Sequence, residues 1–74
     1  MIWQTHIDSD PKILFGKPKI KGTRISVDLI LERLANKYSI HDILDAYPTL
    51  SEEAVYACLQ FASDSIKNEI VVTA

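Results

Sequence analysis

From Ser26 onward the apolar positions recur with helical spacing. Val27, Ile30, Leu31, Leu34 and Tyr38 fall at i, i+3, i+4, i+7 and i+11, which places them on one stripe of a 3.6-residue period. Ser26 is suited to cap this helix, and Asp28 stands in its first turn, where the helix dipole favours negative charge. Asn36-Lys37 predicts the stop, because asparagine tolerates the left-handed cap conformation. A second, shorter helix starts at Ser39, with Ile40, Ile43, Leu44 and Tyr47 repeating the pattern. Pro48 ends it, since a residue before proline is pushed out of the α region. Leu50-Ser51-Glu52-Glu53 opens a third helix. Ser51 is its cap, two glutamates sit in its first turn, and Leu50 is placed to staple onto Val55. Val55, Cys58, Leu59, Ala62 and Ile66 form its stripe, and Ala54, Ala57 and Phe61 give it a second apolar face. Two faces mark it as the central helix.

The first 25 residues read as extended instead. Ile2 to Ile7 is a β-favouring stretch closed by the turn cluster Asp8-Ser9-Asp10-Pro11. Ile13-Leu14-Phe15 follows, then Gly16 and Pro18 interrupt regular structure. Lys19-Ile20-Lys21 alternates polar and apolar, Gly22 supplies the positive φ a tight turn needs, and Arg24-Ile25 leads into the first helix. Strands this short do not make an independent sheet, so pairing with a second chain is expected. Ile70-Val71-Val72 reads as a last strand or an apolar contact segment. The expected fold is therefore mainly α and a single domain. It comprises an extended arm over 1–25, a three-helix helix-turn-helix core over 26–69, and an apolar tail over 70–74. The separation of the last two helices by about four residues is what suggests the helix-turn-helix arrangement.

Size sharpens the expectation of a dimer. A chain of 74 residues buries only about 60% of the surface it exposes when unfolded, so it is marginal alone, and small scaffolds usually need a staple. The single cysteine, Cys58, cannot close a disulfide within the chain and fits a reducing compartment. No apolar run approaches the roughly 20 residues a membrane span needs, and Met1-Ile2-Trp3-Gln4-Thr5-His6 lacks the charged and apolar regions of a signal peptide. A cytoplasmic homodimer without membrane contact is the expectation. The net charge of −2 hides an asymmetry. Residues 1–24 carry five basic groups against two acidic ones, and the remainder three basic against eight acidic, giving +3 and −5. Such a distribution suits an anion-binding arm on an acidic body, and equally a solvated basic strand or one facing a second copy.

Candidate chemistry is sparse. His41, Asp42 and Asp45 lie close on the second helix, but a His–Asp pair supplies too few ligands for a zinc site. Cys58 falls on the apolar stripe with no histidine spaced to activate it. Gly16 and Gly22 form no phosphate-cradling motif, and His6 is isolated. The chain is expected to be no enzyme and to need no metal or cofactor. Nucleic-acid binding finds more support. Lys17, Lys19, Lys21 and Arg24 make a basic arm for phosphate, and Tyr56 and Gln60 face outward on the third helix, where glutamine is able to read an adenine edge. Glu52 and Glu53 at the head of that helix oppose a phosphate backbone.

Asp10-Pro11, the string from Gly16-Lys17-Pro18 through Gly22-Thr23-Arg24 to Ile25-Ser26-Val27, the stretch Ser39 to Leu44, and Tyr47-Pro48-Thr49-Leu50-Ser51-Glu52 with Val55 onward closely resemble the signature of the domain-of-unknown-function family 433. The resemblance spans roughly residues 7 to 62. It implies a small helix-turn-helix domain of homeodomain-like type, dimeric, acting as an antitoxin of a type II toxin–antitoxin pair of the VapB kind. The partner it implies is a PIN-like ribonuclease toxin, which holds its metal with clustered acidic groups, and a double-stranded DNA operator would be bound in autorepression. An interaction module of the same fold that never touches DNA is the alternative. Arg24, Ile70 and Val72 are the expected partner contacts. For Gly22-Thr23-Arg24 two roles stay open. One is structural, as a turn, a local side-chain bond and a salt bridge to an acidic helix; the other is direct contact with phosphate or toxin. Phe15 stands where the family favours glycine, which alters the turn expected there. Lys37 replaces a helix-ending glycine, so Asn36 or Lys37 must take the cap.

Overall fold

The computed structural model describes residues 2–69. Three α-helices follow a short arm: α1 over Val27–Ala35, α2 over Ile40–Ala46 and α3 over Glu52–Glu69. Each begins on a serine. The Ser26 hydroxyl accepts from the Leu29 N–H at 3.2 Å, Ser51 accepts from Ala54 at 3.1 Å, and Ser39 forms a full capping box with Asp42. In that box the Ser39 N–H donates to Asp42 Oδ2 at 2.9 Å while the Asp42 N–H donates to Ser39 Oγ at 3.0 Å. This satisfies donors that a helix start leaves free. The Ser39 N–H holds the Asp42 carboxyl below its ordinary range.

Helix α1 ends on a Schellman motif with lysine in the glycine position. The Tyr38 N–H donates to Arg33 O at 3.0 Å and the Lys37 N–H to Leu34 O at 3.0 Å, the paired bonds of that motif. Lys37 takes φ 71°, while Asn36 stays at φ −90°. The left-handed residue is therefore the lysine, not the asparagine. The Arg33 guanidinium lies 5.5 Å from the Tyr38 ring centroid, which adds a cation–π contact across the cap.

The arm corrects one expectation. Trp3–Thr5 is a 3₁₀ turn, not a strand, and the two strands among the described residues are Ile7–Asp8 (β1) and Lys19–Ile20 (β2), paired antiparallel with Ile7 opposite Ile20 and Asp8 opposite Lys19. The β-favouring residues before Ile7 are overridden by the docking of Trp3 on α3. Its ring meets Phe61 edge-on at 4.8 Å and 88°, and its Nε1 donates to Asp64 Oδ2 at 2.9 Å. The sheet is paired within the chain and supported by the helices, so the short strands need no second chain for pairing.

The core runs from the sheet into the helices: Ile7, Ile20, Val27, Ile30, Ile43, Leu50, Ala54, Val55, Ala57 and Cys58 are buried. Ile30, Ile43, Val55 and Cys58 are the largest fully buried side chains, one or two from each helix. The small residues Ala54 and Ala57 let α3 approach its neighbours closely. Helix α3 thus buries the face that includes Ala54, Ala57 and Phe61 together with Val55 and Cys58, while Leu59 and Ile66 of the expected stripe stay 40% and 58% exposed. Residues 47–51 join α2 to α3, giving the helix-turn-helix connection. No helix among the described residues is long and apolar enough to cross a membrane.

Candidate interaction surface

The polar surface of interest is made by the arm. Gly22, at φ 75°, closes a tight turn between β2 and α1, a conformation that costs glycine little. Thr23 locks it: Oγ1 donates to Ile20 O at 2.8 Å and accepts from the Ile25 N–H at 3.0 Å. The Ile20 N–H donates to Ile25 O at 3.0 Å and the Lys21 N–H to His6 O at 2.9 Å. This geometry gives Gly22 and Thr23 the structural work expected of them and leaves Lys21 and Arg24 exposed. Arg24 makes no ion pair among the described residues, so the expected bridge to an acidic helix does not form.

The basic residues do not behave alike. Lys19, one of the four arm residues expected to meet phosphate, is 5% exposed, and its Nζ donates to Asp8 Oδ1 at 2.7 Å. It is removed from the surface set because β2 lies between β1 and the bridge from Lys19 to Ser26, and a buried ammonium requires a paired carboxylate. Lys17 reaches Asp28 at 3.5 Å with both side chains mostly in solvent, a pair worth little and open to exchange. Lys17, Lys21 and Arg24 remain available.

Beside them the chain adopts an uncommon conformation. Leu14, Phe15 and Gly16 have φ values of 53°, 56° and 78°. A left-handed backbone costs a side-chain-bearing residue roughly 1–2 kcal/mol. Phe15 is nevertheless 99% exposed. Its place in the turn was readable as a departure from glycine; its complete exposure was not, because an apolar triplet between turn signals suggests burial. Apart from that turn, a cleft of about 170 Å³ is lined by Thr5, His6, Lys21, Thr23, Thr49 and Ser51 among others. No sequence spacing joins His6 to Lys21 and to the head of α3.

On α3, Tyr56 is 44% exposed. Gln60 is already engaged: its Nε2 donates to Asp64 Oδ1 at 2.8 Å, and the other carboxylate oxygen holds Trp3. A base edge would have to compete with that network. Cys58 lies wholly inside, and burial pushes its thiol up to about 11. His41 Nε2 and Asp45 Oδ2 meet at 3.3 Å on an exposed face, and no group of three metal-ligating side chains occurs among the described residues. Ile70 and Val72, expected as partner contacts, lie outside the described residues.

Fold and surface together define a small mainly helical module with a two-stranded arm, whose loops expose Phe15, Lys17, Lys21 and Arg24. The family model described as "Protein of unknown function (DUF433)" matches residues 7–62, and the chain belongs to that family. No curated protein and no solved structure matches it.

Proposed function

We propose that the chain is a type II antitoxin that neutralises a PIN-like ribonuclease by protein contact through its arm. The observation that carries this reading is Phe15, an aromatic held fully in solvent on a left-handed turn. Strain of this kind clusters at functional sites, and an exposed aromatic on the same arm as free cations supplies the residue types that anchor protein interfaces. Lys17, Lys21 and Arg24 supply charge complementary to the clustered carboxylates that the family resemblance implies for the toxin. Neutralisation is then occlusion of the nuclease site. The reading requires a PIN-like ribonuclease encoded beside this chain; co-expression with it should restore growth, and Arg24→Ala that stays folded should bind it about tenfold more weakly, a loss on the scale of one charge-assisted contact. Unchanged affinity would remove Arg24 from the contact.

Autorepression through DNA is the second reading, favoured by the same exposed Lys17, Lys21 and Arg24. Burial of Lys19, engagement of Gln60 and the acidic head of α3 count against it. A salt titration on upstream DNA separates the two readings, because phosphate contacts give a steep dependence on salt.

A further inference from the structure

Between the arm and the head of α3 lies the cleft of about 170 Å³, which the readings above leave unused although they draw on Lys21. Its floor is apolar, formed by the buried Ile20, Leu50 and Ala54. Its walls are polar. The arm brings Thr5, His6 and Lys21, and the connection from α2 to α3 brings Thr49 and Ser51. Backbone bonds fix these segments: the Lys21 N–H donates to His6 O at 2.9 Å, and the Leu50 N–H donates to Tyr47 O at 3.0 Å. The Lys21 ammonium makes no ion pair among the described residues. The His6 ring and the Thr5 and Thr49 hydroxyls make no hydrogen bond among them. Ser51 Oγ accepts from the Ala54 N–H at 3.1 Å, which leaves its own O–H to donate. No carboxylate lines the cleft, in a chain with ten acidic side chains against eight basic ones. The lining is therefore a set of free donors around one cation.

We infer that this cleft binds the terminal phosphate of a small molecule, held by Lys21, His6 and the hydroxyls of Thr5, Thr49 and Ser51. A phosphate offers acceptor oxygens to those donors, and its bonds to a cation are charge-assisted and strong. Ser51 caps the long helix α3 and sets the positive end of its dipole at the edge of the cleft, which adds to the side chains without replacing them. Size and charge narrow the ligand. Pockets for drug-sized molecules run to roughly 300–1,000 Å³, so this cleft suits a phosphate on a short organic stem, seated over Ile20 and Leu50. A terminal phosphate carries about −1.5 to −2 charges at neutral pH, against one for a phosphodiester. Glu52 and Glu53 are exposed and stand outside the lining. A row of diester phosphates would run past these carboxylates, whereas one compact group enters beside them. The site is separate from the proposed toxin contact, since Phe15 and Arg24 do not line it.

Amide chemical-shift titration of the full chain at constant ionic strength tests this without any toxin. The ligands are inorganic phosphate and glycerol phosphate, with glycerol as the phosphate-free control and a short DNA duplex as the diester. Both phosphates should give saturable shifts at Thr5, His6, Lys21, Thr49 and Ser51, half-complete near about 1 mM, and glycerol should give none. Lys21→Ala should weaken binding about tenfold and Thr49→Val about threefold. Arg24→Ala removes an exposed cation outside the lining and should leave affinity within about twofold. Circular dichroism checks that each variant is folded, and Thr49→Val keeps the test decisive if loss of Lys21 disturbs the turn. Shifts that do not saturate by about 20 mM, or equal weakening by Arg24→Ala and Lys21→Ala, would overturn the site. So would a duplex that binds these residues while glycerol phosphate does not.

Discussion

Three residues hold conformations that their side chains disfavour, Leu14 and Phe15 in the arm and Lys37 at the end of α1, and the two places differ in what the strain accompanies. Lys37 takes the left-handed position that ends α1, where its chain neighbours need the turn and nothing uses its side chain. Lys37→Gly should raise stability by about 1 kcal/mol, visible in chemical denaturation; a loss of stability would mean that lysine makes a contact the cap geometry does not explain. Phe15 is strained in the same sense, but it is also fully exposed, and glycine there should likewise stabilise the fold while removing the anchor. Cys58 tests burial. The unfolded thiol ionises near its ordinary value of 9.0 and the folded one near about 11. Between these values the unfolded state holds fewer protons, so stability should fall as pH rises from 9 toward 11. The fall should be shallower in Cys58→Ala. Native Cys58 should resist alkylation at neutral pH, and rapid labelling of folded protein would contradict its burial.

The helices were legible because their signals are local: three serine caps, the apolar spacing and the proline after Tyr47 all act within a turn or two. The arm was legible only in part. Gly22 and Thr23 could be assigned to a turn because their chemistry is short-range, whereas the docking of Trp3 on α3 joins residues 61 positions apart. That contact converts a β-favouring stretch into a 3₁₀ turn, and no local pattern encodes it. Asp64→Ala, which strips the acceptor from both Trp3 and Gln60, should cost about 1–2 kcal/mol and shift the emission of the single tryptophan toward the red. Unaltered emission would show that the ring stacking on Phe61 suffices. Lys19 was misplaced for a related reason: alternation along a strand says which residues share a face, but not which face a second segment covers. The pair it makes with Asp8 gives an ordered prediction. Asp8→Ala should destabilise by about 1–2 kcal/mol, allowing for the partial exposure of Asp8, and Lys19→Met should cost less, because the first leaves a buried cation unpaired and the second leaves a carboxylate that can turn to water. The reverse order in thermal denaturation would deny that Lys19 is charged and enclosed.

At the scale of the whole molecule, burial and exposure are divided by element. The core is continuous from the sheet to α3, while among the described residues the loops of the arm and the outer face of α3 stay exposed. The arm carries cations and an aromatic, which under the proposed function suits a partner with clustered carboxylates. The most direct test of the central claim is to titrate a purified PIN-like ribonuclease, taken from the genes beside the one for this chain as the proposed function requires, with this protein while following RNA cleavage, using wild type and Phe15→Gly in parallel. Wild type should abolish cleavage at stoichiometric amounts, and Phe15→Gly, though more stable, should need at least about tenfold more protein, a loss typical of a truncated aromatic anchor. Full cleavage in the presence of excess wild type, or equal neutralisation by both proteins, would contradict neutralisation through the arm.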